Sequence, residues 1–201
     1  AIWSTSEDDA LQFPANTFLK FWDNHGLLNF NKRPQWYTVK NGSKTYVEAI
    51  QKQSKVKFLT KTPIKQIERK KEHSIVTLPD NSTQQFDYII LATHADQALK
   101  LLKFPTPTEK QLLSQWRYSN NNTILHNDRK AMAENKNIWS SWNYVKHKED
   151  IHEDPVSVTY YMNRLQTLSS NTDYFVSLNK KTEIQEDTII RNIDYTHPIY
   201  N

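Results

Sequence analysis

The sequence lacks cysteine and has only two glycines, Gly26 and Gly42, among its 201 residues. Without cysteine no disulfide can form, and nothing points to an oxidising compartment, so we expect a cytoplasmic protein. The two glycines are not spaced as Gly-x-Gly-x-x-Gly. This excludes a glycine-rich loop whose backbone amides could approach the pyrophosphate of a dinucleotide.

Other common features are also missing. No run approaches the ~20 apolar residues of a membrane helix, and the N-terminus does not resemble a signal peptide. The net charge of +4, from 26 basic and 22 acidic residues, is too small to indicate nucleic-acid binding. Residues 52–71 hold eight basic residues against Glu68 alone, which we interpret as protection of strand edges. Hydrolase chemistry has no support, because a nucleophile elbow and an ordered Ser-His-Asp set are absent.

The spacing of apolar residues predicts four helices. The first begins near Ala15, and the second follows Ser43, which we expect to be its N-cap. The third covers residues 96–102, and the fourth begins at Thr108. A β-meander is predicted from three strands, and a further short strand precedes it. The meander strands cover residues 64–69, 74–78 and 83–86, and the short strand covers residues 56–59.

The run Tyr-Ile-Ile-Leu-Ala at residues 88–92 is continuously apolar and leads directly into the helix at residues 96–102. This pattern predicts a buried parallel strand covered on both faces. The rest of the sequence predicts an antiparallel sheet of about five strands. Those strands are placed near residues 118–126, 138–145, 156–162, 174–178 and 189–195.

The predicted fold class is therefore α+β, with two parts. Residues 1–107 contain helices, the meander and the buried strand–helix unit. Residues 108–201 form the mostly antiparallel sheet with flanking helices.

Strings along almost the whole chain share one pattern. The two of highest specificity are Ala92-Thr93-His94-Ala95-Asp96-Gln97 and Tyr161-Met162-Asn163-Arg164-Leu165-Gln166. The others lie at residues 21–28, 33–36, 39–47, 141–144 and 195–200. Together they resemble the flavin amine oxidase-like, NAD/FAD-binding family.

The resemblance implies an oxidoreductase in which flavin accepts a hydride equivalent from an organic small-molecule substrate. The family holds its flavin with a glycine-rich N-terminal unit and a glycine-rich C-terminal segment, and neither occurs here. Because the chain also begins at Ala1 without a methionine, we expect an internal part of a larger protein. FAD is expected in the intact protein and none on this chain, which is expected to be inactive alone. Its partners would be the missing parts of its own FAD domain.

The resemblance also implies cofactor contacts. Ile64 would touch the adenine ring through its backbone, and Ala92, Thr93 and His94 would form a turn beside the cofactor. A helix N-cap region is the alternative interpretation of that turn. Asn41 stands where the family tends to have glycine, but asparagine tolerates the left-handed conformation, so the turn is expected to survive.

Five aromatic residues are candidates to line a substrate channel. Ordinary sheet and core packing is the alternative role for each of them. Adjacent residues of a strand face opposite sides, so only one of the two neighbouring tyrosines can point into the channel. The candidates are Trp36, Trp142, Tyr144, Tyr160 and Tyr161.

A group of potential metal ligands lies in a polar loop, without any recognised ligand spacing, so we expect no metal site. It consists of His147, Glu149, His152, Glu153 and Asp154. A non-catalytic binding or scaffold module that keeps the fold without redox activity remains the second functional hypothesis. We also expect self-association of the chain through exposed apolar surface.

Overall fold

The structure is a computed structural model that describes residues 6–29, 31, 34–144, 156–180 and 182–199. Within these ranges the chain forms six α-helices and eight β-strands, so the predicted α+β class is confirmed. The helices are α1 Glu7–Leu11, α2 Ala15–Asn24, α3 Lys44–Gln53, α4 Ala95–Leu101, α5 Pro107–Leu113 and α6 Met162–Leu165. The strands are β1 Gln66–Arg69, β2 Ser74–Thr77, β3 Thr83–Phe86, β4 Arg117–His126, β5 Trp142–Tyr144, β6 Val158–Tyr161, β7 Phe175–Leu178 and β8 Ile189–Ile199.

The chain divides into two compact units. One consists of residues 51–117, and the other of residues 1–50 and 118–201. The predicted parts, residues 1–107 and 108–201, concern the roles of the two regions in a complete protein, and that division stays a prediction.

The unit of residues 51–117 is built on the meander β1–β2–β3, as predicted. Ile67 of β1 pairs with Val76 of β2, and both side chains are buried. Leu102, after α4, forms a parallel bridge to Ile67, and the Lys103 N–H donates to the Ile67 carbonyl over 2.9 Å. Helix α4 therefore packs against the β1 side of the meander, and its own residue Ala98 is buried.

The prediction of a buried strand at residues 88–92 was wrong for this chain. The segment forms no strand, and Tyr88 and Ile90 are each 91% exposed. Residues 56–59 likewise form no strand. The physical reason is that an extended segment becomes a strand only when a neighbour supplies hydrogen bonds, and no described strand lies beside either segment.

The other unit carries a five-stranded sheet in the order β5-β6-β7-β4-β8. The predicted antiparallel sheet is confirmed, although β5 is shorter than the predicted strand at residues 138–145. The Asn143 side chain bonds both the N–H and the carbonyl of Ser140, at 2.9 and 2.6 Å. These local bonds form a turn that delays the start of the strand. Ile138 lies instead in a short 3₁₀ segment, Lys136–Ile138.

The core of this sheet is aromatic. Phe175 of β7 is completely buried and packs with Met132 and Trp139, and Tyr161 lies against the same cluster. The ring centroids of Phe175 and Trp139 are 5.6 Å apart in an edge-on arrangement. The Trp139 Nε1–H donates to the Ala133 carbonyl over 2.7 Å, which satisfies the polar end of a buried indole.

Asn41 has φ of 65°, in the left-handed region, as the sequence predicted for the turn before α3. Gly26 after α2 has φ of 63°, and a Cβ there would lie 2.9 Å from Pro34 Cδ. Glycine is therefore required at position 26 both by its conformation and by the close approach of the following loop.

Helix α5 begins with a capping box that was not predicted, because the N-cap is Thr106 rather than Thr108. The Glu109 N–H donates to Thr106 Oγ1, and the Glu109 carboxylate accepts from the Thr106 N–H over 2.8 Å. Arg69 of β1 also donates to both oxygens of that carboxylate. The Arg69 guanidinium, together with the N–H of Thr106, lowers the pKa of Glu109 to about 2.

We expect Thr106→Ala to lower the free energy of unfolding of the 51–117 unit by about 1 kcal/mol, because an orphan N–H at the helix start loses its acceptor. The matched control is Thr108→Ala, an exposed residue in the first turn of the same helix that does not provide the cap. Urea unfolding followed by circular dichroism would measure both. Equal effects of the two substitutions would contradict the capping role.

Candidate functional site

Three of the aromatic candidates lie together on one face of the five-stranded sheet, and we call Trp142, Tyr144 and Tyr160 the aromatic patch. Trp142 and Tyr144 are two residues apart on β5, so they share a face. Tyr160 of β6 is directly opposite Trp142, and their rings meet edge-on at 6.2 Å. Trp142 is 51% and Tyr144 48% exposed. Burial raises the pKa of the Tyr160 phenol, so it stays a neutral hydrogen-bonding group.

Tyr161 points to the opposite face of β6 and is separated from the aromatic patch. Its hydroxyl donates to Asp173 Oδ1 over 2.6 Å, and its ring stacks on Phe175 with centroids 5.6 Å apart. The hydrogen bond to the Asp173 carboxylate raises the pKa of Tyr161. In this chain Tyr161 therefore belongs to the core, and Tyr160 is the tyrosine of the pair that can meet a ligand.

Asp173 is the centre of a charged cluster behind the sheet. It is buried, and it accepts from Lys136 Nζ over 3.1 Å and pairs with Arg129 Nη2 at 2.6 Å. Burial opposes ionisation of this carboxyl group, but the hydrogen bonds from Tyr161 and Lys136 outweigh it and lower the Asp173 pKa. Lys136 Nζ also lies over the Trp139 ring at 5.3 Å. Asp173 thus ties the aromatic core to two cations and holds Tyr161 in place.

A chain of buried polar side chains crosses three strands of the same sheet. His126 Nε2 lies 2.9 Å from Ser177 Oγ, which lies 2.8 Å from Thr159 Oγ1. His126 Nδ1 accepts from the Asp128 N–H over 3.2 Å, so in the neutral ring Nε2 carries the proton and donates to Ser177. Burial is the main cause that lowers the pKa of His126, to about 4. This chain stabilises the register of β4, β7 and β6 and has no access to solvent.

Trp36 lines a cleft that the aromatic patch does not share. It is exposed and lines a cleft of about 470 Å³ with the end of α2 and the loop around Pro34. None of the three patch residues is among the described residues that line this cleft.

The cofactor candidates lie in the 51–117 unit. Ile64 lines an apolar cavity of about 290 Å³ together with Leu59, Val76 and Phe86. Ala92 is exposed, and Thr93 and His94 lead into α4, where the His94 carbonyl accepts from the Ala98 N–H. The structure places Ile64 and the 92–94 turn in one unit, but the turn is not among the described residues that line the cavity.

No group of three potential metal ligands that could hold an ion is present in the described ranges. The candidates His147, Glu149, His152, Glu153 and Asp154 lie outside the described residues. Among the helices that the structure describes, none is long and apolar enough to span a membrane.

The sequence reasoning missed Asp173, His126, Ser177 and Thr159 as organising residues. For Ser177 the sequence holds a weak signal. It lies two positions after Phe175 in the same predicted strand, so the two side chains share a face, and a buried Phe175 indicates a buried Ser177. The bonds themselves join residues far apart in sequence, as in the pair His126 and Ser177, and no local pattern predicts such pairs.

A family model described as flavin containing amine oxidoreductase matches residues 10–179. No curated protein matches the sequence. Among solved structures, a candidate protoporphyrinogen oxidase from Exiguobacterium sp. 255-15 is similar at a TM-score of 0.55 and 12% identity, over 92% of this chain and 47% of that one. The CLA-producing fatty acid isomerase from P. acnes is similar at 0.51 and 12%, over 78% of this chain and 40% of that one. These likenesses show a shared fold, and the chain spans less than half the length of either structure.

Proposed function

Because this chain belongs to the flavin-containing amine oxidoreductase family, we propose that it supplies the substrate-binding region of an FAD-dependent oxidoreductase. When bound, the flavin would accept a hydride equivalent from an organic substrate. This chain would bind and orient that substrate and exclude water from it. The observation that carries the proposal is the aromatic patch, which leaves Trp142 and Tyr144 about half exposed on an ordered sheet.

The geometry of the patch suits an organic ligand with a flat or apolar body. Trp142 and Tyr160 stand on paired strands and their rings already meet edge-on, which reduces the side-chain freedom that a stacking ligand would have to remove. The opposite face is filled by Phe175 and Tyr161, so a ligand can approach the sheet from the patch side alone. The neutral phenol of Tyr160 provides a polar group that could fix the orientation of the ligand.

The described residues fit only part of an FAD molecule. The apolar cavity beside Ile64 suits a flat ring such as adenine. A pyrophosphate needs backbone amides at a glycine-rich turn, whereas Gly26 follows α2 and Gly42 stands in a single turn before α3. We therefore propose that FAD is held mainly by a flavin-binding portion outside these residues, and that this chain alone binds none and is inactive. We place the complete protein in the cytoplasm.

The decisive measurement is the flavin absorbance of the complete gene product and of the 201-residue chain, each incubated with excess FAD and desalted. We expect the complete protein to retain flavin and the chain to be colourless. Flavin on the chain alone would contradict the need for an additional portion. A folded complete protein without flavin would favour a scaffold module that keeps the fold without redox chemistry.

The role of the aromatic patch can be tested in the flavin-loaded protein. We expect Trp142→Ala to slow anaerobic flavin bleaching by the most effective member of a panel of organic amines and alcohols by roughly tenfold or more, since stacking surface is lost. Flavin retention should not change. The matched control is Tyr37→Ala, a more exposed aromatic residue outside the patch. Unchanged bleaching in Trp142→Ala would remove the patch from the substrate site.

A further inference from the structure

The sequence string of residues 161–166 directly follows the patch residue Tyr160 and forms the end of β6 and the short helix α6. Tyr161 belongs to the aromatic core. The two polar residues after it, Asn163 and Arg164, make hydrogen bonds to distant parts of the chain. Such bonds give α6 its position, because a single helical turn has little stability of its own.

Asn163 ties α6 to the segment that leads into β7. Its Oδ1 accepts from the Tyr174 N–H over 2.7 Å, and its Nδ2 donates to the Thr172 carbonyl over 2.8 Å. The Met162 N–H also donates to the Tyr174 carbonyl, over 2.9 Å. These bonds fix α6 against the start of β7, so the side chain of Arg164 extends from a rigid base.

Arg164 reaches the part of the chain that precedes the aromatic patch. Its Nη1 donates to the Trp139 carbonyl over 2.7 Å. Hydrogen bonds from a charged donor are shorter and roughly twice as strong as neutral ones. Trp139 follows the Lys136–Ile138 segment and is itself buried in the aromatic core. The guanidinium therefore holds the point from which the chain continues to Trp142.

The strand that carries Trp142 and Tyr144 is short and lies at an edge of the sheet. β5 has three residues, and β6 is its one neighbour among the described strands. Such strands open easily, because few backbone hydrogen bonds hold them. Just before β5, the Ser141 carbonyl accepts from the Tyr161 N–H over 3.0 Å. This bond and the one from Arg164 together fix the N-terminal end of β5.

We propose that Arg164 is a positioning residue of the substrate site. By holding the Trp139 carbonyl, it keeps the Trp142 ring in its edge-on contact with Tyr160, and so determines how tightly the patch binds a substrate. The inference rests on the proposed function. Arg164 acts on the patch through the backbone of β5, and the patch binds the substrate equally before and during the reaction. Loss of such uniform binding weakens substrate binding and leaves the maximal rate unchanged.

The kinetic test uses the flavin-loaded complete protein and the most effective compound of the amine and alcohol panel. Arg164→Met removes the hydrogen-bond donor and keeps the apolar stem of the side chain. We expect the substrate concentration at half the maximal rate of anaerobic flavin bleaching to rise roughly tenfold, the equivalent of about one charge-assisted hydrogen bond. The maximal rate should stay within about twofold of that of the unmodified protein.

Arg164→Lys retains a donor for the same carbonyl and should recover most of the loss. The matched control is Arg191→Met, at an exposed arginine of β8 in the same unit, and it should change neither quantity. Arg164→Gln replaces Arg164→Met if that variant does not fold, with the same expected direction. An unchanged half-saturating concentration, or a maximal rate that falls as far as this concentration rises, would overturn the proposal.

Fluorine NMR follows the patch itself and needs neither flavin nor substrate. The complete gene product is labelled with 5-fluorotryptophan, and Trp142→Phe identifies the resonance of that residue. In Arg164→Met the Trp142 resonance is expected to shift or broaden, whereas that of Trp22 in α2 stays unchanged. An unchanged Trp142 resonance would overturn the proposal, whether or not flavin binds. A shifted resonance in a protein whose flavin no compound of the panel reduces would support the positioning role and refute the proposed function.

Discussion

Replacing Phe175 by alanine is expected to lower the free energy of unfolding by about 3–5 kcal/mol, the usual range for removing a buried phenylalanine. The side chain has no exposed area and contacts Trp139, Tyr161 and His126, with ring centroids 5.5 to 5.6 Å away. These neighbours come from β4, from β6 and from the loop that follows the Lys136–Ile138 segment, and side-chain hydrogen bonds hold all three, so they cannot close in on the cavity. The measurement is urea unfolding followed by tryptophan fluorescence, to which Trp139 of this cluster contributes as one of six tryptophans.

Two further variants test whether the loss of stability comes from the volume that is removed from the core. Phe175→Leu keeps most of the volume and is expected to lose only about 1–1.5 kcal/mol. Tyr37→Ala removes an aromatic ring that is 89% exposed in the same unit and should change stability by less than about 0.5 kcal/mol. A loss in Phe175→Ala no larger than that in Tyr37→Ala would show that Phe175 does not organise the core.

Acid is expected to destabilise the same unit well above the pH at which carboxylates titrate. The pKa of His126 is about 4 in the folded chain, against 6.5 for an ordinary histidine. Above pH 6.5 both folded and unfolded chains hold this ring neutral, so stability is constant. Between pH 6.5 and about 4 only the unfolded chain binds the proton, and about 3 kcal/mol of stability is lost. Below pH 4 both states are protonated and the effect of this group ends.

The surroundings of His126 support that sign. Burial disfavours the imidazolium most, Lys180 adds repulsion, and the nearby Asp128 carboxylate only partly compensates. The carboxyl group of Asp173, whose pKa is lowered, contributes a loss of stability only below its ordinary value of 3.8. Compared with Asp173, His126 therefore acts at higher pH, between 6.5 and about 4.

Urea midpoints measured from pH 7.5 to 4 would test this prediction. His126→Gln keeps a side-chain N–H that can donate to Ser177, and it should flatten the pH dependence in this window. His25→Gln, at an exposed histidine of the same unit, is the control substitution. A wild-type midpoint that does not change over this range would refute the neutral, buried state of His126.

Local pattern was sufficient for much of the fold. The meander and the helices from Ala15 and after Ser43 follow from apolar period and turn residues, which act over a few positions. The strand predicted at residues 88–92 was wrong, because a parallel strand forms only where neighbouring strands bind its backbone and cover its side chains. Its own apolar composition cannot supply these contacts. The capping box at Thr106 was readable as Thr-Pro-Thr-Glu, but the helix start was set two residues too late.

The sequence predicted which aromatic residues are candidates for the site, but only partly how they are arranged in space. Trp142, Tyr144 and Tyr160 share a face because their strands pair in one register, which no single strand reveals. The sequence could state that Tyr160 and Tyr161 point to opposite faces, but it could not state which one the core would take. That choice depends on Asp173, Lys136 and Phe175, which approach Tyr161 only in the folded sheet.

The strand order of the five-stranded sheet determines when its strands can pair during synthesis on the ribosome. β4 ends at residue 126, yet its neighbours β7 and β8 begin at residues 175 and 189. At a synthesis rate of roughly 5–20 residues per second, β4 waits roughly 2–10 s on the ribosome before β7 has emerged. During that interval the five consecutive polar residues 119–123 of β4, Ser-Asn-Asn-Asn-Thr, keep the strand soluble, and the sheet forms only when β7 and β8 are available.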